Sequence, residues 1–263
     1  MLTEIALKSF GQSHVGAVRK INEDSLLEYP EQHIWVVADG MGGHAAGDVA
    51  SQMLVDTITL YINEHAYHGI SINVLKQAIQ TANEKIMAYS HSQLAGKTAG
   101  TTVVLLWIDG YTAHWLWAGD SRGYRFYHQD LKQVTRDHSH VNELIDQGVL
   151  SPEEAEKHPM GNVITRAIGV VDDIDVDHIS HPVVEGEMLL LCSDGLTGEL
   201  SDACIAEQLQ LQQHNVINAG SSLMHAALGK AAKDNVSLIL VSVSRPSQAD
   251  SFKGDDLTVP LFS

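Results

Sequence analysis

A chain of 263 residues and 28.6 kDa has the size of one large domain, or of one domain with a short appendage. Its residues are 44% hydrophobic and 19% charged, which supplies a substantial core and excludes disorder as a description of the whole. With 33 acidic and 16 basic residues the net charge is −17; no basic stripe can release counterions from a nucleic-acid backbone, so that class of partner is excluded.

In chain order, residues 34–38 form an apolar run ending in Asp39-Gly40, which reads as a buried strand followed by a turn. Val49, Met53, Leu60 and Tyr61 recur at helical spacing and predict a helix over residues 45–64. A second apolar face, Val74, Leu75, Ala78, Ile79, Ala82, Ile86 and Met87, predicts another. Residues 101–108 and 111–118 flank Asp109-Gly110, a strong hairpin signal, and residues 123–128 are expected to add a third strand to that pair. From 137 to 169 the pattern weakens. Two short polar helices, about 139–147 and 152–158, read there as a surface flap inserted between strands. Strands are expected again at 174–180, 187–192 and 236–243, and helices at 202–212 and 217–232. Residues 1–245 are expected to form one domain. Residues 246–263 read as a polar, frayed tail, with a docking peptide as the alternative.

Cys192 and Cys204 form no CxxC and no disulfide framework, which suits a reducing, cytoplasmic compartment. The first residues do not read as a signal peptide, and no apolar run approaches the roughly 18 residues of a membrane span. Several motifs are decoys. Gly96-Lys97-Thr98 looks like the end of a phosphate-binding loop, but the first glycine would fall on His91. Gly40-x-Gly42-x-x-Ala45 mimics a dinucleotide fingerprint, yet Asp39 beside it would repel a pyrophosphate. Neither cysteine has the arginine six positions on that a thiol phosphatase needs. The pairs His65/His68, His138/His140 and His178/His181 lack a zinc-binding arrangement and read as solvated surface histidines.

The informative anomaly is the placement of four aspartates. Asp39 follows 34–38, Asp120 follows 115–119, Asp194 follows 189–193, and Asp234 precedes 235–241. Each marks the end of a strand expected in the core, and burying an unpaired carboxylate costs several kcal/mol. No lysine or arginine lies within ten positions of Asp39. Each acid taken alone could cap a turn. Taken together, oxygen-only ligands suit Mg²⁺ or Mn²⁺. Such cations would also reconcile an acidic protein with an anionic substrate. Glycine after Asp39 would let its carbonyl approach an ion closely. Upstream, Arg19, Glu23 and Asp24 could be a solvated cluster. In a metal site, Glu23 or Asp24 would complete an ion's shell and Arg19 would offer a planar fork to phosphate oxygens.

The ordered set Arg19…Asn22-Glu23-Asp24, Asp39-Gly-Met-Gly-Gly-His44 with Gly47, Gly100-Thr-Thr102, Gly119-Asp-Ser-Arg122, Thr135-Arg-Asp-His-Ser139, Ile164-Thr-Arg-Ala-Ile-Gly169, Ser193-Asp-Gly195 and Asp234-Asn235 resembles the metal-dependent protein phosphatases, the protein phosphatase 2C family, in compact bacterial form. The resemblance spans roughly residues 10–243. It implies an α+β fold, a four-layer αββα sandwich of two antiparallel sheets flanked by helices, with a flap insertion. It also implies a serine/threonine protein phosphatase holding two Mn²⁺ or Mg²⁺ ions, or three with one at Asp120. In that scheme Asp39 bridges two ions; Gly40, through its carbonyl, and Glu23 or Asp24 serve one, and Asp194 and Asp234 the other. Arg19 contacts phosphate, and Asp39 and Arg19 carry catalysis. Many animal members have a histidine, proposed as general acid, where this chain has Met41; water or a flap group would then protonate the leaving group. His44 reads as structural, Arg122 as half of an ion pair, and Thr101 and Thr102 as strand residues near the site. The implied substrate is a phosphorylated protein, the implied partner a cognate Ser/Thr kinase system, and the expected state a monomer.

Overall fold

The computed structural model describes residues 5–42, 46–67, 69–155, 158–161, 163–213 and 215–245. His44 and the tail 246–263 lie outside the described residues. The strands are β1 (Ala6–His14), β2 (Asp24–Tyr29), β3 (Ile34–Met41), β4 (Gly100–Thr101), β5 (Val103–Asp109), β6 (Thr112–Ala118), β7 (Arg122–Tyr127), β8 (Asp130–Gln133), β9 (Asp177–Pro182), β10 (Met188–Cys192) and β11 (Val236–Ser244). The helices are α1 (Gly47–His65), α2 (Ile72–Gln93), α3 (His140–Asp146), α4 (Pro152–Ala155), α5 (Asp194–Thr197), α6 (Asp202–Leu211) and α7 (Val216–Leu228).

Two antiparallel sheets result. One runs β1-β11-β10-β7-β8; the other runs β2-β3-β5-β6-β9, with β4 paired to β3. The continuous apolar runs are strands buried on both faces. In β3, Ile34, Val36 and Ala38 meet α1 and α2, while Trp35 and Val37 face the opposite sheet. In β11, Leu238 and Leu240 meet the α6–α7 layer, while Ile239 and Val241 face inward. Period-two alternation puts successive side chains on opposite faces. Helices on both outer faces therefore make the αββα sandwich. Side-chain caps start several helices: Ser71 accepts from the Val74 N–H, Ser201 from Cys204 and Asn215 from Asn218, each worth about 1 kcal/mol. The segment between β8 and β9 carries α3 and α4 as a flap. Among the described residues no helix is long and apolar enough to cross a membrane.

Three expectations change. The strand expected to stop at residue 38 runs on to Met41, because Gly40 and Met41 pair with Thr101 and Gly100. The strand expected to join the Asp109-Gly110 hairpin crosses instead to the other sheet, where β7 pairs with β10 and β8. Gly123 permits the crossing: β7 packs over Trp115, and a Cβ at residue 123 would stand 2.6 Å from the Trp115 ring. Finally β1, β2 and β8 form from segments whose residues are half-buried or exposed, with Asp24 alone buried, and whose periodicity is correspondingly weak.

Candidate metal centre

Both sheets deliver carboxylates to one end of the sandwich. Asp24 opens β2 and Asp39 lies near the end of β3; the two are register partners. Asp194 follows β10, Asp234 precedes β11, and Asp120 lies in the link from β6 to β7. Asp24 reaches across from its own sheet to the other and accepts a hydrogen bond from the Ser193 hydroxyl, 2.9 Å.

These acids are electrostatically crowded. Burial, and after it the charges of Asp24, Asp194 and Asp120, hold the Asp39 carboxyl well above the ordinary range. Burial also pushes Asp24 up to about 6, against hydrogen bonds from Ser237 and Ser193 that favour the carboxylate. Asp120 rises to about 7 through burial and Asp194. Asp194 is raised by burial and Asp234, and a hydrogen bond with Asp39 tempers the rise. Among the described residues no group of three or more His, Cys, Asp or Glu forms a ready cage for a metal ion.

Arg19 and Arg122 offset part of this charge; Arg19 Nη2 lies 2.7 Å from Asp234 Oδ2, both side chains about half exposed. Glu23 turns the other way: its Oε1 accepts from the Gly47 N–H at 3.2 Å. It thus serves α1, whose N-cap residue Ala46 offers no side-chain acceptor. Gly40 is held by its N–H to the Glu23 carbonyl, 3.1 Å. A Cβ there would lie 2.1 Å from the Gly47 carbonyl oxygen. Close backbone packing of α1 on β3 thus demands glycine at 40, whatever its carbonyl binds. The Met41 methyl lies against Gly100.

Several polar residues hold the acids in place, and sequence reasoning gave most of them no such role. The Asp39 N–H donates to Thr102 Oγ1 at 3.0 Å. Its carbonyl accepts from the Thr102 N–H at 2.8 Å and from Thr101 Oγ1 at 3.0 Å. Thr102 Oγ1 also lies 2.7 Å from Ser121 Oγ, next to Asp120. Asn235 accepts from the Glu23 N–H and donates to the carbonyls of Val15 and Ile21. This ties the Arg19 loop to β11. The positions beside Asp120, Asp194 and Asp234 could have signalled Ser121, Ser193 and Asn235, while Thr101 and Thr102 were expected near the site but only as strand residues. Arg122 is an ion-pair residue as expected, with Nε and Nη2 on Asp137 at 2.8–3.0 Å. His138, read from sequence as a surface histidine, is buried instead and stacks on Trp117. Cys192 is a core thiol whose pKa burial pushes up to about 12.

Comparison with known proteins identifies the family and the fold. The family profile described as Protein phosphatase 2C matches residues 10–231. The chain is 33% identical over 265 residues to the serine/threonine protein phosphatase PstP of Mycobacterium tuberculosis, covering 97% of this chain and 50% of PstP; it therefore spans about half the length of that relative. The structure superposes with a TM-score of 0.80 on the catalytic domain of a PstP in complex with two manganese ions, at 32% identity, covering 91% of this chain and 99% of that one. It superposes at 0.77 on PppA, described as a key regulatory component of T6SS in Pseudomonas aeruginosa, at 37% identity, covering 90% and 97%.

Proposed function

The chain belongs to the protein phosphatase 2C family, and we propose that it hydrolyses phosphoserine and phosphothreonine in proteins with the help of Mn²⁺ or Mg²⁺, opposing a bacterial Ser/Thr kinase. The observation that carries this reading is the convergence of Asp24, Asp39, Asp120, Asp194 and Asp234 on one end of the sandwich. Four of these carboxyls are held above their ordinary range, with burial the largest cause and neighbouring acids adding to it. That donor set fits a hard divalent cation. Its side-chain ligands are oxygens, and ions of this kind keep several waters, so one or two carboxylates each suffice.

In this reading Asp39 would serve both ions of a pair, Asp194 and Asp234 would hold one, the Gly40 carbonyl with Glu23 or Asp24 the other, and Asp120 a third. When bound, such a pair lowers the pKa of water and neutralises charge on phosphoryl oxygens. The rest is the work of the chain itself. Arg19, at the rim of the cluster and anchored through Asp234, can turn its remaining N–H groups to phosphate oxygens and balance the charge that phosphoryl transfer spreads over them. Thr101, Thr102, Ser193 and Asn235 hold backbone and carboxylates in place before substrate arrives, which is what electrostatic stabilisation requires. Met41 carries no titratable group, so the leaving alkoxide takes its proton from solvent or from a flap side chain. The likeness to PppA, described as a key regulatory component of T6SS, supports a regulatory role; the substrate in this reading is a phosphoprotein and the functional partner its kinase.

The test is hydrolysis of p-nitrophenyl phosphate and of a phosphothreonine peptide, with Mn²⁺ or with EDTA. Turnover of both is expected with Mn²⁺ and loss of both in EDTA, restored on adding Mn²⁺ back. Turnover that persists in EDTA rejects the metal mechanism, and turnover of the small ester alone rejects the protein substrate.

A further inference from the structure

The motif Thr135–Ser139 contains a histidine to which the chemistry above gives no task. His138 is only 9% exposed. Its ring stacks on Trp117 with centroids 6.1 Å apart and planes 13° from parallel. Its Nδ1 accepts the Gly119 N–H at 3.1 Å, and its own backbone N–H donates to the Gly119 carbonyl at 2.9 Å. One residue thus binds both polar backbone groups of the glycine that precedes Asp120.

Gly119 needs such a clamp. It adopts φ +113, and a Cβ there would lie 2.6 Å from Thr102 Cγ2. Only glycine fits, and glycine brings the widest backbone freedom. The ring itself is held from the opposite side. Because Nδ1 accepts, Nε2 carries the proton and faces Asp177 Oδ2 at 3.3 Å. Asp177 Oδ1 in turn takes Arg166 Nη1 at 3.0 Å. Arg166 lies where the chain returns from the flap, and His138 where it enters.

We infer that His138 is a positioning residue for the Asp120 carboxylate, clamping Gly119 through its ring and backbone and being oriented by Asp177 and Arg166 at the base of the flap. The inference rests on the reading of Asp120 as a metal acid. Residues that orient a metal ligand at one remove commonly change metal affinity by about 10–100-fold when altered.

The experiment is a Mn²⁺ titration of the full chain, with free Mn²⁺ followed by electron paramagnetic resonance. The ions that Asp120→Ala loses define the class of sites that depends on Asp120. His138→Phe keeps the ring, the stack on Trp117 and the volume but removes the acceptor. It is expected to weaken that class about tenfold and to leave the tighter ions unchanged. His138→Asn, whose Oδ1 can stand where Nδ1 stands, is expected to recover most of the loss. Wild-type affinity in His138→Phe overturns the inference, as does equal weakening in the Phe and Asn variants, which would make the effect one of packing. Should circular dichroism show His138→Phe unfolded, Asp177→Ala releases the ring from its far side and is expected to weaken the same class; unchanged affinity there also overturns the proposal. If wild type and Asp120→Ala bind Mn²⁺ identically, the assignment of Asp120 falls and this inference with it. That result is distinct from a failure confined to His138.

Discussion

Asp39 is placed by its backbone, not by its carboxylate. Thr102 and Thr101 bond its N–H and carbonyl, so neutralising the side chain leaves those anchors untouched. The carboxylate itself is a liability for folding, because burial and three neighbouring acids disfavour its charge. Asp39→Asn should therefore abolish phosphatase turnover, preserve the far-UV circular dichroism spectrum, and raise the melting temperature of the EDTA-treated protein at pH 8. Each kcal/mol of relieved repulsion is worth roughly 2–4 °C in a domain of this size. Wild-type turnover in the variant would reject the role proposed for Asp39. At this scale the acids were legible in the chain because each abuts an apolar run. Thr102, Ser193 and Asn235 were not, because their partners lie between roughly 40 and 220 positions away and no local pattern encodes such a pairing.

Among the elements, the flap is the one whose attachment can be tested most directly. Where it returns to the sandwich, the Gly169 N–H donates to Asn83 Oδ1 in α2 at 2.6 Å, and Asn83 Nδ2 donates to the Val171 carbonyl at 2.7 Å. Asn83 is fully buried. Gly169 has φ +91, and a Cβ there would lie 2.3 Å from Ile86 Cγ2. Gly169→Ala meets both a backbone penalty and overpacking, which together cost on the order of 3 kcal/mol. Urea denaturation should show that loss as a lower midpoint with an unchanged slope; a midpoint within error of wild type would mean that α2 does not hold the flap. Helices α1 and α2 and the Asp109-Gly110 hairpin were legible because their apolar spacing and turn chemistry are local. β1 and β2 were not, since β1 is wholly half-buried or exposed and β2 buries only Asp24, so neither shows a clean alternation.

For the whole molecule, the concentration of acids at one end of the sandwich predicts how stability follows pH. Asp24 and Asp120 have folded-state pKa values raised to about 6 and about 7, above the ordinary aspartate value near 3.9. The folded state therefore holds protons that the unfolded chain releases. Below about pH 4 these groups cost no stability; as pH rises through about 6 to 7 their penalty is established in full. The EDTA-treated protein should accordingly melt at a lower temperature at pH 8 than at pH 5.5, and saturating Mn²⁺ should reverse the difference, because a ligand bound only by the folded state stabilises it. A melting temperature that rises with pH in EDTA, or that Mn²⁺ leaves unchanged at pH 8, would contradict the picture of a cluster built for cations.

Local chemistry in the chain determined a great deal: the apolar runs that become strands buried on two faces, the helices with one apolar stripe, and the aspartates set against core strands. The ordered motifs added the family and, by resemblance, the sandwich. Periodicity and turn signals depend only on neighbours within a few positions, so a linear reading reaches them. Only the tertiary structure decided that β7 crosses to the second sheet over Trp115, that Gly40 is glycine because α1 packs against it, and that Glu23 turns toward the start of that helix. It alone decided that a histidine resembling a surface residue is buried against Gly119. Each of these follows from which surfaces meet once two sheets stack, and that contact is set by the packing of the whole chain rather than by any segment of it.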